Sequence, residues 1–162
     1  TRSVASVQCP GRTPSSPVCP GATMAPAPSA LGITEPAGPD AAGLQNWPIQ
    51  LGLVSPSAPF LQNADLVLAA DCTGYAYTGF RQLAMGRVVL VACPKLDDVE
   101  DHLYRLTAIL EQSSIKSITV LRMEVPCCAG IVRLVSEAVR RSGKDIPAEV
   151  AVVGINGEVL VP

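Results

Sequence analysis

Two apolar runs, Ala64 to Ala70 (ADLVLAA) and Arg87 to Ala92 (RVVLVA), constrain this chain more than any other feature. Neither alternates apolar with polar residues, so a strand built from either is buried on both faces, as strands inside a parallel sheet are. Parallel neighbours need crossover connections, and segments of helical periodicity stand where those crossovers belong. Leu96 to Gln112 predicts a helix, with Asp97, Asp98, Glu100 and Asp101 at its positive N-terminal end and Val99, Leu103, Leu106 and Leu110 on one apolar face. Cys127 to Ser142 predicts a second, with Ile131, Leu134, Val135 and Ala138 as its buried stripe and Gly143 as its stop. Tyr77 to Met85 predicts a shorter helix ending near Gly86. Ser117 to Val125 reads as a further strand, and Pro48 to Val54, where Ile49, Leu51 and Leu53 alternate, as a strand with one buried face. Ser55 to Asn63, broken by Pro56 and Pro59, is a loop or a short helix. Val150 to Ile155, Asn156–Gly157 and Glu158 to Val161 predict a terminal hairpin with a type I′ turn.

The alternation predicts an α/β fold over residues 47–162, of the Rossmann or flavodoxin-like type: a mostly parallel sheet, helices on both faces and a C-terminal hairpin. A Pro-rich irregular arm, residues 1–46, precedes it. Residues 1–47 hold eight of the fifteen prolines and only four charged residues (Arg2, Arg12, Glu35, Asp40), so they bury too little to offset their ordering entropy. With aromatics at 4%, the core of the domain must be aliphatic. The net charge of −2 is spread without a basic stripe or a Lys/Arg-rich amphipathic helix, which argues against nucleic acid and membrane surfaces as partners. No apolar run approaches the roughly 18 residues of a membrane span. The first twenty residues carry Pro10, Pro14, Pro17 and Pro20 and no apolar core of a signal peptide. A start at Thr1 points to a processed chain or a piece of a longer one.

The six cysteines give this fold its chemistry. Cys72 follows the first apolar run, Cys93 follows the second, and Cys127 and Cys128 follow Ser117 to Val125. Ligands of open α/β sheets collect outside the carboxyl ends of the strands, and neighbouring strand tips lie about 4.8 Å apart. Four thiols at three such tips predict a soft-metal site, above all an iron–sulfur cluster. The plainer reading of any single cysteine, a small apolar side chain filling space, carries about even odds for Cys93 alone. Adjacent cysteines such as Cys127 and Cys128 bridge each other only with strain, and regular α/β patterning does not suit a disulfide scaffold. Reduced or metal-bound thiols in the cytoplasm are therefore expected. Pro94 and Pro126 flank the cysteines and stiffen their loops, while the N-terminus of the Cys127 helix offers unpaired N–H groups to thiolates. Cys9 and Cys19 each open a Cys-Pro-Gly sequence in the arm, and Cys19 is the candidate further ligand. Zinc is the rival metal, but no CxxC spacing occurs and the single histidine, His102, falls on a face predicted to be exposed.

The segments CPKLDD and RMEVPCC, within VACPKLDDVEDHLYRLTAIL and IKSITVLRMEVPCCAGIV, together with NWPIQLGLVSPSAPFLQNADLVLAADC, resemble the C-terminal domain of ferredoxin-type 4Fe–4S iron–sulfur proteins of anaerobic bacteria and archaea. The resemblance covers about residues 45 to 160. It implies a bound cluster with a role in electron transfer or redox sensing, served by a redox protein partner. It places Cys19 or Cys9 at the family's Cys-Pro-Gly motif and Cys72, Cys93, Cys127 and Cys128 at its other cysteines. Many relatives carry a CxxCxxCxxxCP segment before this domain; here it is absent, and Ala92 and Ala129 stand where relatives commonly have glycine.

Asp71, Tyr75, Tyr77, Lys95, Arg122 and Glu124 fall near the same strand ends. Lysine and tyrosine donors there could bond cluster sulfurs. The plainer expectation is a helix cap at Asp97–Asp98 and an Arg122–Glu124 ion pair. Neither GxGxxG nor GxxxxGK[ST] occurs, so nucleotide binding has no motif behind it. Two further functions stand beside electron transfer: an oxidoreductase working through its cysteines or an open iron, and a structural zinc domain that binds other proteins.

Overall fold

The structure, a computed structural model, describes residues 44–160. The Pro-rich arm up to residue 43, with Cys9 and Cys19, lies outside the described residues. Five strands, β1 (Asp65–Ala70), β2 (Val88–Ala92), β3 (Ser117–Met123), β4 (Ala148–Val153) and β5 (Val159–Leu160), form one sheet in the order β2-β1-β3-β4-β5. The first four are parallel and β5 is antiparallel to β4. The continuous apolar runs became the centre of the sheet: in β1 every residue after Asp65 is buried. Four helices connect the strands: α1 (Thr73–Ala76), α2 (Phe80–Ala84), α3 (Val99–Gln112) and α4 (Ala129–Ser142). The chain moves one way across the sheet from β1 to β2 and the other way from β2 to β3 to β4. Right-handed crossovers then put α1 and α2 on one face and α3 and α4, which pack on each other, on the opposite face.

Leu66, Leu68, Leu90, Leu106, Ile109 and Ile131 are fully buried, and no aromatic side chain is, which bears out the aliphatic core. The α3 stripe is rotated from the predicted one. Val99 is 42% exposed, whereas His102, Leu106, Ile109 and Leu110 are buried. The expectation of an exposed His102 is thus overturned. The turn Leu51–Leu53 lies over the start of the helix: a Cβ on Gly52 would stand 3.7 Å from the histidine Nε2. The helix begins three residues later than predicted because Asp98 caps it, accepting from the backbone N–H groups of Glu100 and Asp101. At the far end of α4, Gly143 takes the left-handed conformation at φ 68° that closes a helix.

Three other expectations change. Pro48 to Val54 is not a strand: Leu51 and Val54 are buried and Leu53 is 70% exposed, the three-residue spacing of a tight turn. This segment instead covers the outer edge of β2. Gln50 bridges to Val91, and the Val91 N–H donates to the Ile49 carbonyl at 2.8 Å. The side-chain amide of Asn46 stands in for strand backbone, accepting from the Val89 N–H at 2.9 Å and donating to its carbonyl at 3.0 Å. An open sheet edge is thereby closed. The short helix expected over Tyr77 to Met85 is α2, starting three residues later, and the unforeseen α1 precedes it, with Tyr77 as the extended residue after α1. Finally, the hairpin is not type I′. Gly157 donates to the Gly154 carbonyl at 3.0 Å, and it alone in the turn has positive φ, at 90°. That is a three-residue loop with glycine in the left-handed position, where type I′ needs positive φ at two residues.

Candidate functional site

The strand order reverses between β1 and β3, and ligand crevices of doubly wound sheets open at that point, beyond the strand ends. The register aligns the tips: Ala69 pairs with Leu121, and Ala70 with Ala92. Cys72 sits at the head of α1, two residues beyond β1, and is exposed. The buried Thr73 hydroxyl ties this turn to the strand by donating to the Ala70 carbonyl at 2.7 Å. Cys127 and Cys128 occupy the tight turn Pro126–Cys128 between β3 and α4, the first exposed and the second buried. Cys93 follows β2 and is half-buried. Its carbonyl accepts from the N–H groups of Leu96 and Asp97, and its own N–H donates to Asp97 Oδ2 at 2.7 Å. The β2 loop rests on the first turn of α4: a Cβ on Gly130 would meet Pro94 Cβ at 3.0 Å, a close approach that a glycine accommodates without displacing Pro94. All four described cysteines are free thiols.

Three of these thiols share an electrostatic neighbourhood. Burial pushes the Cys128 thiol up, a backbone hydrogen bond from Met123 pulls it down, and the neighbouring Cys127 and Cys72 raise it again. Cys93 has no part in that coupling. Among the described residues, no three Cys, His, Asp or Glu side chains come together as a ready metal-binding group. The donor chemistry suits a soft metal, whereas the described thiols by themselves do not make up a complete ligand set.

The polar residues divide differently from expectation. Asp98 is the cap foreseen at Asp97–Asp98, but Asp97 itself braces Cys93. Arg122 and Glu124 do not pair: Arg122 donates to the Met123 carbonyl, and Glu124 accepts the Ile155 N–H at 2.8 Å, holding the terminal hairpin. Lys95 and Tyr75 are exposed, and the Tyr77 ring lies against Gly79. What the sequence reading missed is a polar cluster at the tips of β1 and β2. His102 Nδ1 stands 3.7 Å from Asp97 Oδ2, and Asp71 lies within electrostatic reach of both residues. Burial raises the Asp71 carboxyl above its ordinary value, Asp97 raises it further, and His102 opposes them. The five-residue step from Asp97 to His102 was visible in the sequence, but a cap position and a helical face are indistinguishable from a site until the β2 loop folds over them.

Fold and site together define a doubly wound α/β protein with free thiols just beyond the ends of β1, β2 and β3. The chain belongs to the Rossmann-like domain family, whose model matches residues 58–161. It is 34% identical over 116 residues to an uncharacterized protein of Archaeoglobus fulgidus, covering 72% of this chain and 82% of that protein. No solved structure matches. No helix among the described residues is long and apolar enough to cross a membrane.

Proposed function

We propose that the chain is an iron–sulfur protein that takes a 4Fe–4S cluster at the crevice beyond β1 and β3 and serves one-electron transfer or redox sensing with a protein partner in the cytoplasm. The observation that carries the reading is the gathering of three free thiols, Cys72, Cys127 and Cys128, just beyond the paired strands β1 and β3. Cys93, on the adjoining tip, is held by Asp97. A cluster bound there would supply one-electron chemistry at a potential set by its ligands and their hydrogen bonds. The chain's own residues contribute the setting. Asp97 and the Pro94–Gly130 contact fix the β2 loop, and α4 presents its positive end beside Cys127 and Cys128. Because the described thiols are not a complete set, the reading requires a ligand from the arm, and Cys19 is the candidate.

Anaerobic reconstitution, followed by iron and acid-labile sulfide counts on the parent and on each Cys→Ser variant, tests this. Loss of iron with Cys72→Ser, Cys93→Ser, Cys19→Ser and one of Cys127→Ser and Cys128→Ser, four ligands for one cluster, but not with Cys9→Ser, is expected. A protein that takes up zinc and no iron overturns the proposal in favour of a structural zinc domain. A second reading, a thiol oxidoreductase, is favoured by the exposed free Cys127 beside the buried free Cys128. It predicts a mixed disulfide at Cys127 in metal-free protein incubated with oxidised glutathione.

A further inference from the structure

We propose that the cavity beside the tip of β1 binds a small organic amine, with Asp71 receiving the ammonium group and the apolar lining receiving the rest of the molecule. The cavity measures about 450 Å³, and Ile49, Phe80, Val89 and Val91 line it together with Gly74 and Asp71. That volume and an apolar wall with one convergent polar group are the marks of a small-molecule site. The second observation is independent of the first. Asp71 Oδ1 is buried and has no hydrogen-bond partner among the described residues, although Asp71 as a whole is half-buried. Buried polar atoms in folded proteins are nearly always paired, so an unpartnered oxygen on a carboxylate whose residue lines the cavity leaves room there for a donor.

The charge around the cavity selects the ligand class. Asp71 is the one charged residue of the lining, and Asp97 and His102 lie within electrostatic range of it. An anion would meet the Asp71 carboxylate, and a purely apolar molecule would leave the Asp71 oxygen unpaired. A cation bearing N–H donors satisfies both the oxygen and the field. Phe80 gives an aromatic amine a ring to pack against. None of these residues is a thiol, but Asp71 adjoins Cys72, so the titration is run on metal-free protein.

The test is a ¹⁵N NMR titration of the full chain with tryptamine and phenethylamine, each matched by its carboxylate counterpart, indole-3-acetate and phenylacetate. The amines are expected to shift the amide signals of Gly74, Phe80, Val89 and Val91 with a dissociation constant on the order of millimolar. Asp71→Asn should weaken that binding about tenfold, since a charge-assisted hydrogen bond is lost. Gly74→Leu supplies a second variant: Gly74 lines the cavity and a Cβ there meets nothing within 4 Å, so added bulk clashes with no neighbour and should weaken binding. Equal binding of amines and carboxylates, undiminished binding to Asp71→Asn, or shifts confined to the opposite edge of the sheet would overturn the proposal. Cys72→Ser, which tests the cluster, should leave amine binding intact, so the two failures are distinguishable.

Discussion

Replacing Asn46 with alanine strips the outer edge of β2 of its covering. The Asn46 side chain is 6% exposed and makes three hydrogen bonds: to the Val89 carbonyl, to the Pro48 carbonyl and from the Val89 N–H. Val89 is 1% exposed, so in Asn46→Ala its N–H and C=O lose their partner where water has little access. A buried backbone group left unsatisfied costs about 1–3 kcal/mol. Two such groups, partly relaxed, put the loss at about 2–4 kcal/mol. For a domain of this size that lowers Tm by roughly 8–16 °C. Urea unfolding followed by far-ultraviolet circular dichroism measures the change, and amide exchange at Val89 should accelerate well beyond that at Leu68 on the interior strand. A loss below about 0.5 kcal/mol, the size of an ordinary surface substitution, would refute the idea that a side-chain amide substitutes for a missing strand.

Asp71→Asn tests the polar cluster. The folded protein holds a proton on Asp71 more tightly than the unfolded chain does, so stability falls as pH rises from about 3.8 through the raised value and is level above it. The variant should therefore be more stable than the parent at pH 7, with the gap closing as the pH approaches about 4. Urea midpoints at the two pH values decide it, and a parent more stable than the variant at pH 7 refutes the assignment. Alkylation of the reduced, metal-free protein with iodoacetamide should modify the exposed Cys72 and Cys127 at least about tenfold faster than Cys128, whose thiol is buried and pushed up. Peptide mass spectrometry over time gives the order, and early labelling of Cys128 would contradict its placement.

The sequence alone determined the sheet and the tips. ADLVLAA and RVVLVA became β1 and β2 because an unbroken apolar run has no face to offer water, whatever surrounds it. The crossovers followed from their lengths and periods, and with them the arrival of Cys72, Cys93 and the vicinal pair at one edge. Tertiary structure decided everything that depends on which surfaces meet. Ile49, Leu51 and Leu53 alternate as a strand does, yet the unpaired edge of β2 and the start of α3 compete for that segment and hold it as a bridge followed by a turn. The same contact buries His102 and rotates the α3 stripe, which no periodicity could report, since a helix carries the same sequence whichever side it is approached from. The cysteines divide on similar grounds. Their positions on strand ends are a matter of chain order, but the coupling of Cys72, Cys127 and Cys128, the turn that holds Cys93 under Asp97 and the unpartnered oxygen of Asp71 arise from side-chain directions and burial, which exist only once distant segments pack.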